Sequence, residues 1–384
     1  MPFWRLSFSP PEAGNHMTSV LFSPLTVGGM TVPNRIAVAP MCQFSADDGS
    51  ANDWHLQHWM SLAMSGAGMI TFEATAVERH GRITHGCLGL YSDHNEAAAQ
   101  RTLAAARRVA PAGTRFGIQI GHAGRKASVH RPWQGSAPLR PEEDAWQTVA
   151  PSAIPFAPGW HMPQALDEDG IQRLVSAWAN AAERASRAGF DFIEIHGAHG
   201  YLLHEFLSPL SNQRNDHWGG TLQNRMRFIL AVTKAVRAAA PSAVMIGARL
   251  STTDWTAGGF TIDEAVEVAR ALKDVGAAYI CASTGGGVDD AKIPLGPGYQ
   301  VPFAERIRKE AGIITRAVGL IDDPHVAEAI VAEGKADLVA LARPILADPR
   351  WPWRAAVALG APLHVVPQYA RATMFIDKWV GAGT

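Results

Sequence analysis

The sequence predicts an α/β fold, a single (β/α)8 barrel of the TIM type with an inserted loop or cap after strand three. Three observations carry that reading: one unit recurs along the chain, eight apolar strands can be counted, and reactive side chains gather just past those strands. The unit is a short apolar run, a loop, an amphipathic helix, and a glycine or polar turn leading to the next strand. It is clearest in SGAGMITFEA, SRAGFDFIEI, KDVGAAYICAS and EGKADLVALAR. The strands fall at 35–41, 69–73, 116–120, 192–196, 244–249, 278–282, 313–318 and 338–341, with helical patterns between them at 168–188, 222–240 and 262–275. At the ends of the strands or just past them come Cys42, Glu73, Gln119, His196, Arg249, Thr284 and Arg343. In a barrel those positions converge on one face, whereas an open sheet would string them along an edge.

Length is compatible with this, because barrels run past 250 residues as one unit while the chain has 384. The division expected is a 1–20 extension, a 21–371 barrel and a 372–384 tail. The sequence MTSVLFSPLTVGG begins what reads as folded chain, which makes Met17 an alternative start. With 34 basic and 35 acidic residues and no long basic run, nucleic acid is excluded as a partner. Hydrophobic residues make up 47%, enough for a large core, yet no apolar stretch is long enough to cross a bilayer. The first residues, MPFWRLSFSPPEAGNHM, lack the apolar block of a secretion signal. Cys42, Cys87 and Cys281 are far apart with no C-x-x-C pair, so reduced thiols and a cytoplasmic location are expected. The longest insertion, 123–167, is rich in proline and tryptophan and reads as a lid or cap.

The chemistry is expected in GFDFIEIHGAHGY. Phe192, Ile193 and Ile195 fill a buried strand that delivers His196 to its C-terminal end, and His199 and Tyr201 follow on a turn opened by Gly197 and Gly200. Two imidazoles and a phenol make a cluster of hydrogen-bond donors with one proton source. The same residues could be ordinary satisfied polar groups on a barrel rim. With His204 or Glu205, His196 and His199 could also ligate a metal, which would make the chain a metal-dependent barrel hydrolase, although H-E-x-x-H is absent. No G-x-G-x-x-G follows any strand, so a separate dinucleotide-binding domain is not expected. Gly285, Gly286 and Gly287 suit a mobile loop, with phosphate binding as the weaker alternative. The preferred phosphate site lies after strands seven and eight, where Gly319, Ala342 and Arg343 let backbone amides and a guanidinium approach an anion. Cys42, in APMCQF, faces the presumed site, while Cys87 and Cys281 read as buried small hydrophobes.

Taken together, PNRIAVAPMCQFSADDG, EATAV, GIQIGHAGRKAS, HGAHGYLLHEFLSPLSNQRNDHWGG, NRMRF, VGLI and ARPILADP resemble the old yellow enzyme family of FMN-dependent ene-reductases, in its xenobiotic reductase-like or thermophilic-like subgroup. The resemblance runs from about Leu21 to Arg371. It implies bound FMN across the barrel mouth, with NADPH or NADH as co-substrate and an activated alkene as the second substrate. By motif position Ala39, Pro40, Met41, Cys42, Ala74, Gln119, Arg249, Gly319, Ala342 and Arg343 would contact FMN. His196 and His199 would donate hydrogen bonds to the substrate oxygen, and Tyr201 would protonate the α-carbon. Lys126 and Phe44 would also face the substrate. Phe44 stands where the subgroup commonly has tyrosine, so one hydroxyl donor is missing. PQYARA resembles an arm that reaches a neighbouring subunit, which implies a homodimer or homotetramer with Arg371 near the neighbour's site. A flavoprotein that binds without catalysing is a third reading.

Overall fold

The apolar runs become strands because both of their faces are buried, as every residue of Phe192–Gly197 is. The computed structural model describes residues 19–376. In it the runs form β1 (Ile36–Val38), β2 (Met69–Ala76), β3 (Arg115–Gly121), β4 (Phe192–Gly197), β5 (Met245–Ser251), β6 (Tyr279–Ser283), β7 (Ile314–Ala317) and β8 (Leu338–Leu341). Each pairs in parallel with the next, and β8 pairs with β1 to close the barrel. All eight expected strands are present at their expected places.

Eight helices cover the outside: α1 (Asp53–Ala63), α2 (Asp93–Val109), α3 (Glu168–Ala188), α4 (Arg227–Ala239), α5 (Ile262–Asp274), α6 (Val301–Ala311), α7 (Pro324–Ala332) and α8 (Trp351–Ala358). α3 shows why they form. Ile171, Leu174, Trp178, Ala181, Ala182 and Ala185 recur at helical spacing and are buried, and the Asp167 side chain accepts from the Gly170 amide at the start. Gly189 ends the helix at φ 95° and turns the chain into β4. The helix expected over 222–240 is interrupted: Leu222–Arg225 forms a short turn of its own before α4 begins.

Inside the barrel, side chains alternate with period two. Phe192, Met245, Tyr279 and Leu338 fill its lower end, where a hairpin of Leu25–Val27 and Met30–Val32 contributes Val27, Met30 and Val32 as a plug. Glycine is required where the rings lie flat on a strand: a Cβ on Gly117 would sit 2.1 Å from the Phe192 ring, and one on Gly247 2.1 Å from Tyr279.

At the N-terminal side, Ser19 Oγ and the amides of Val20 and Leu21 all donate to the Glu328 carboxylate of α7, at 2.6, 2.8 and 2.9 Å. The rest of the expected extension, Met17 included, lies outside the described residues, as do 377–384 of the expected tail. The insertion folds back on the barrel, joined by the parallel pair Val149–Ala150 and Gln164–Ala165, with Trp146 Nε1 donating to the His80 carbonyl at 2.8 Å. Among the described residues no helix is long and apolar enough to cross a membrane.

Candidate active site

β4 points Glu194 and His196 into the barrel and ends at Gly197, after which the chain turns sharply. His199 takes φ 60° and Gly200 φ 73°, and a Cβ at Gly200 would meet the Gly286 carbonyl at 2.0 Å. The turn brings the sequence-predicted trio together. The His196 ring lies 5.1 Å from that of His199 and 5.0 Å from that of Tyr201, edge to face in both cases.

Neighbouring loops hold this strained turn. Ser251 Oγ accepts from the His199 amide at 2.9 Å, and Lys126 Nζ donates to the carbonyls of His199 and Gly286, both at 2.9 Å. The Gly200 amide donates to His204 Nδ1 at 2.9 Å, while His204 Nε2 lies 3.1 Å from Asp254 Oδ1. Burial alone would raise the Asp254 carboxyl, but His204, Ser208 and the Phe260 amide outweigh it and bring it to about 2.

Burial dominates the ionisation of the trio. It drives both imidazoles well below their ordinary value, and the Arg249 charge adds to the effect, so His196 and His199 are neutral. It pushes the Tyr201 phenol up, with Cys42 and Cys87 adding to the shift and Arg249 opposing it, so the hydroxyl keeps its proton. The Ala198 amide donates to His196 Nδ1 at 3.3 Å, which leaves the proton on Nε2. His199 differs, because its Nε2 is 2.8 Å from Ser283 Oγ, and that hydroxyl donates onward to Gln300 Oε1 at 3.2 Å. The Nε2 proton of His199 is therefore already engaged.

Beside the trio lies a pocket lined by Ala39, His199, Arg249, Val318, Gly319, Ala340, Ala342 and Arg343, together with Ser283, Thr284, Tyr299 and Gln300. Alanines at the ends of β1 and β8 keep it open to a flat ring. Gly319, at φ 117°, ends β7 where a Cβ would crowd Gln300 and Tyr299. Arg249 lines the pocket; its Nη2 donates to Ser283 Oγ at 3.5 Å, and its buried Nε has no partner among the described residues. A phosphorylated ring with electron-rich edges fits these residues: an open floor, a guanidinium whose Nε is unpartnered among the described residues, and Arg343 beside a glycine. Pro40, Met41 and Cys42 continue from Ala39. Burial, then Cys87 and Glu73, keeps Cys42 a thiol. Ala74 lies opposite Gln119 in the β2–β3 ladder and lines a small second cavity shared with His196 and Tyr201. Tyr299 and Gln300 escaped the sequence reading because they sit in a loop before α6, far from any strand end.

Four expectations change. Lys126 is committed to two carbonyls behind the turn and lies 5.3 Å from the Tyr201 ring, so it braces the trio rather than meeting substrate directly. Gly285, Gly286 and Gly287 do not form a phosphate cradle. Their carbonyls accept from Ser251 Oγ at 2.8 Å, Lys126 Nζ at 2.9 Å and Arg125 Nη2 at 2.8 Å, which is the polarity opposite to that an anion needs. His204 is spent on Gly200 and Asp254, Glu205 Oε1 accepts from the Arg125 amide at 2.9 Å, and among the described residues no three His, Cys, Asp or Glu side chains are grouped to hold the metal of a hydrolase. Gln119 does not offer its whole amide to a ligand, because Nε2 gives one hydrogen to Glu194 Oε1 at 2.8 Å. Phe44 takes φ 51° and meets Trp133 of the insertion edge-on at 6.2 Å, and Arg371 is exposed in Pro367–Ala372.

An open-mouthed barrel of this kind, with neutral hydrogen-bond donors and a protonated phenol beside an arginine-edged pocket, belongs to the flavin-dependent oxidoreductases. The comparisons make this specific: over residues 20–360 the chain matches, and it belongs to, the NADH:flavin oxidoreductase / NADH oxidase family. It is 43% identical over 361 residues to an NADPH dehydrogenase of Geobacillus sp. (strain WCH70), covering 94% of this chain and 100% of that protein. An NADPH dehydrogenase of Listeria innocua is 40% identical over 356 residues, covering 92% and 99%. Among solved structures, morphinone reductase superposes with TM-score 0.74 at 30% identity, covering 91% of this chain and 92% of that one. The old yellow enzyme homologue from Zymomonas mobilis gives 0.72 at 26%, covering 90% and 94%. The chain is an FMN-dependent NAD(P)H oxidoreductase.

Proposed function

We propose that the second substrate is an alkene activated by a carbonyl, as in enones, enals and maleimides, with nitro compounds as a further class. The reading rests on one juxtaposition: a neutral His196 with a free Nε2–H beside a protonated Tyr201, their rings 5.0 Å apart. Bound FMN supplies hydride acceptance from NAD(P)H and hydride donation to the alkene β-carbon in a second, separate step. His196 Nε2–H donates to the substrate oxygen and stabilises the negative charge that develops on it. His199 assists when its Nε2 proton turns from Ser283 to the substrate. Tyr201 would give its phenolic proton to the α-carbon, the carbon next to the one that takes the hydride. Lys126 keeps the turn in place from behind, without touching the reacting atoms.

Toward the cofactor, Arg249 would balance negative charge on the reduced ring, and Gln119 would meet the pyrimidine edge. Ala39, Pro40, Met41, Cys42 and Ala74 would pack on the ring, and Gly319, Ala342 and Arg343 would hold the phosphate. The NADPH dehydrogenases among the relatives favour NADPH as reductant. Phe44 replaces a hydroxyl with a ring that leans on Trp133, which favours apolar substrates. Arg371, exposed on its own chain, would enter a second copy's site in a homodimer, and the free thiols suit the cytoplasm.

Separate stopped-flow half-reactions test the proposal with Tyr201→Phe. Flavin reduction by NADPH should be unchanged, while reoxidation by an enone should slow by about 10²-fold or more. Equal slowing of both halves would contradict the proton-donor role.

A further inference from the structure

One layer beneath the pocket, the barrel holds a fully buried ion pair. Arg316 on β7 and Glu194 on β4 are both 0% exposed and are bonded through Arg316 Nη2 and Glu194 Oε2. Alternation points both inward: Glu194 lies two residues before His196, and Arg316 two before Val318, which lines the pocket. Arg316 Nη1 donates to Thr71 Oγ1 at 3.3 Å, its guanidinium lies 5.1 Å from the Tyr279 ring centre, and its Nε has no partner among the described residues. Glu194 accepts two further bonds, from Tyr279 Oη on Oε2 and from Gln119 Nε2 on Oε1, each at 2.8 Å.

Such a pair is a poor way to stabilise a barrel. Stripping water from each charge costs several kcal/mol, and well-packed apolar residues often do as well or better, the more so here because Arg316 keeps an unsatisfied nitrogen. What the pair does achieve is electrostatic. Burial works against the Arg316 charge, but Glu194 and Tyr279 outweigh it and hold the group above its ordinary value, so Arg316 stays a cation facing Glu194. The Glu194 oxygens accept from Arg316, Tyr279 and Gln119 alike, and a group paired in this way to a guanidinium admits only the NH2 end of the Gln119 amide. A neutral acid or an amide in its place would admit either end.

We propose that the Arg316–Glu194 pair is a positioning device for the flavin: it fixes the Gln119 amide with Nε2 turned toward Glu194, so that Oε1 and the second N–H face the pyrimidine edge as acceptor and donor. The device rests on the reading that Gln119 meets that edge. Its function is specificity of orientation, obtained before the ligand arrives.

The test is a double-mutant cycle read as the FMN dissociation constant, by fluorescence titration of the flavin-stripped full chain. Gln119→Leu should weaken FMN binding by about tenfold or more, the cost of lost hydrogen bonds. Glu194→Gln should weaken it by about tenfold in the wild-type background, yet by no more than about twofold when Gln119→Leu is already present, because there is then no amide to orient. Where Glu194→Gln alone leaves Arg316 too costly to bury, Glu194→Gln with Arg316→Met removes both charges and should show the same coupling. An equal factor in both backgrounds, or no loss on changing Glu194, would mean that the pair only supports the fold and would overturn the proposal. Unchanged affinity in Gln119→Leu would instead refute the contact between Gln119 and the flavin, and the positioning role with it.

Discussion

The two ends of the barrel interior are made by the same eight strands, yet they are built for opposite purposes. At the lower end Phe192, Met245, Tyr279 and Leu338 interdigitate with the hairpin plug, and glycines at 117 and 247 give way to the rings. At the upper end the inward positions carry Ala39, Ala340 and Ala342 beside His196 and Arg249, with a buried guanidinium nitrogen unpartnered among the described residues. The lower end maximises packing, whereas the upper end forgoes it and keeps polar groups that await a ligand. The difference is a separation of stability from chemistry along one set of strands.

Substitutions that act on one end and spare the other test that separation. The largest effect belongs to Phe192→Ala, which should cost about 3–5 kcal/mol of stability in denaturant melts while the folded fraction binds FMN as before. A parallel fall in FMN affinity would mean that the ends are not independent. Arg249→Leu should do the reverse. FMN binding weakens by about 1.5–3 kcal/mol, measured by titration, and the flavin-free protein melts at the same temperature or higher, since a partly buried charge with one unpartnered nitrogen is gone. The smallest effect sharpens the picture inside the upper end. His196→Ala should weaken binding of a phenol over the flavin by about 1–2 kcal/mol, and His199→Ala by less, because the His199 proton is already shared with Ser283. Equal losses in the two variants would show that Ser283 releases that proton freely.

Much of this was legible in the sequence, for identifiable reasons. Apolar runs repeated between helices are enough to place eight strands, and the capping pattern around 168–188 marks α3 at both ends. His196, His199 and Tyr201 were readable because one turn carries all three. The polar layer beneath them was also within reach: Glu194 and Arg316 interrupt otherwise apolar strands, and Glu194 shares a face with His196 by simple alternation. What could not be read are contacts between loops far apart in the chain. Lys126 looked like a substrate ligand because nothing local shows that its ammonium reaches Gly286, 160 residues away. Gly285–Gly287 left phosphate binding open because composition does not reveal which way carbonyls point. The split of 222–240 at Met226 is likewise a tertiary effect, with Arg225 drawn to Glu264 and the Leu207 carbonyl.

The proton-donor role proposed for Tyr201 depends on its phenol reaching the α-carbon of the substrate. Anaerobic turnover of a 2-substituted enone with NADPH in D2O, with the product's configuration read by NMR, measures this directly. The account predicts one solvent deuterium at the α-carbon, delivered to a single face. An α-carbon deuterated without facial preference would contradict it.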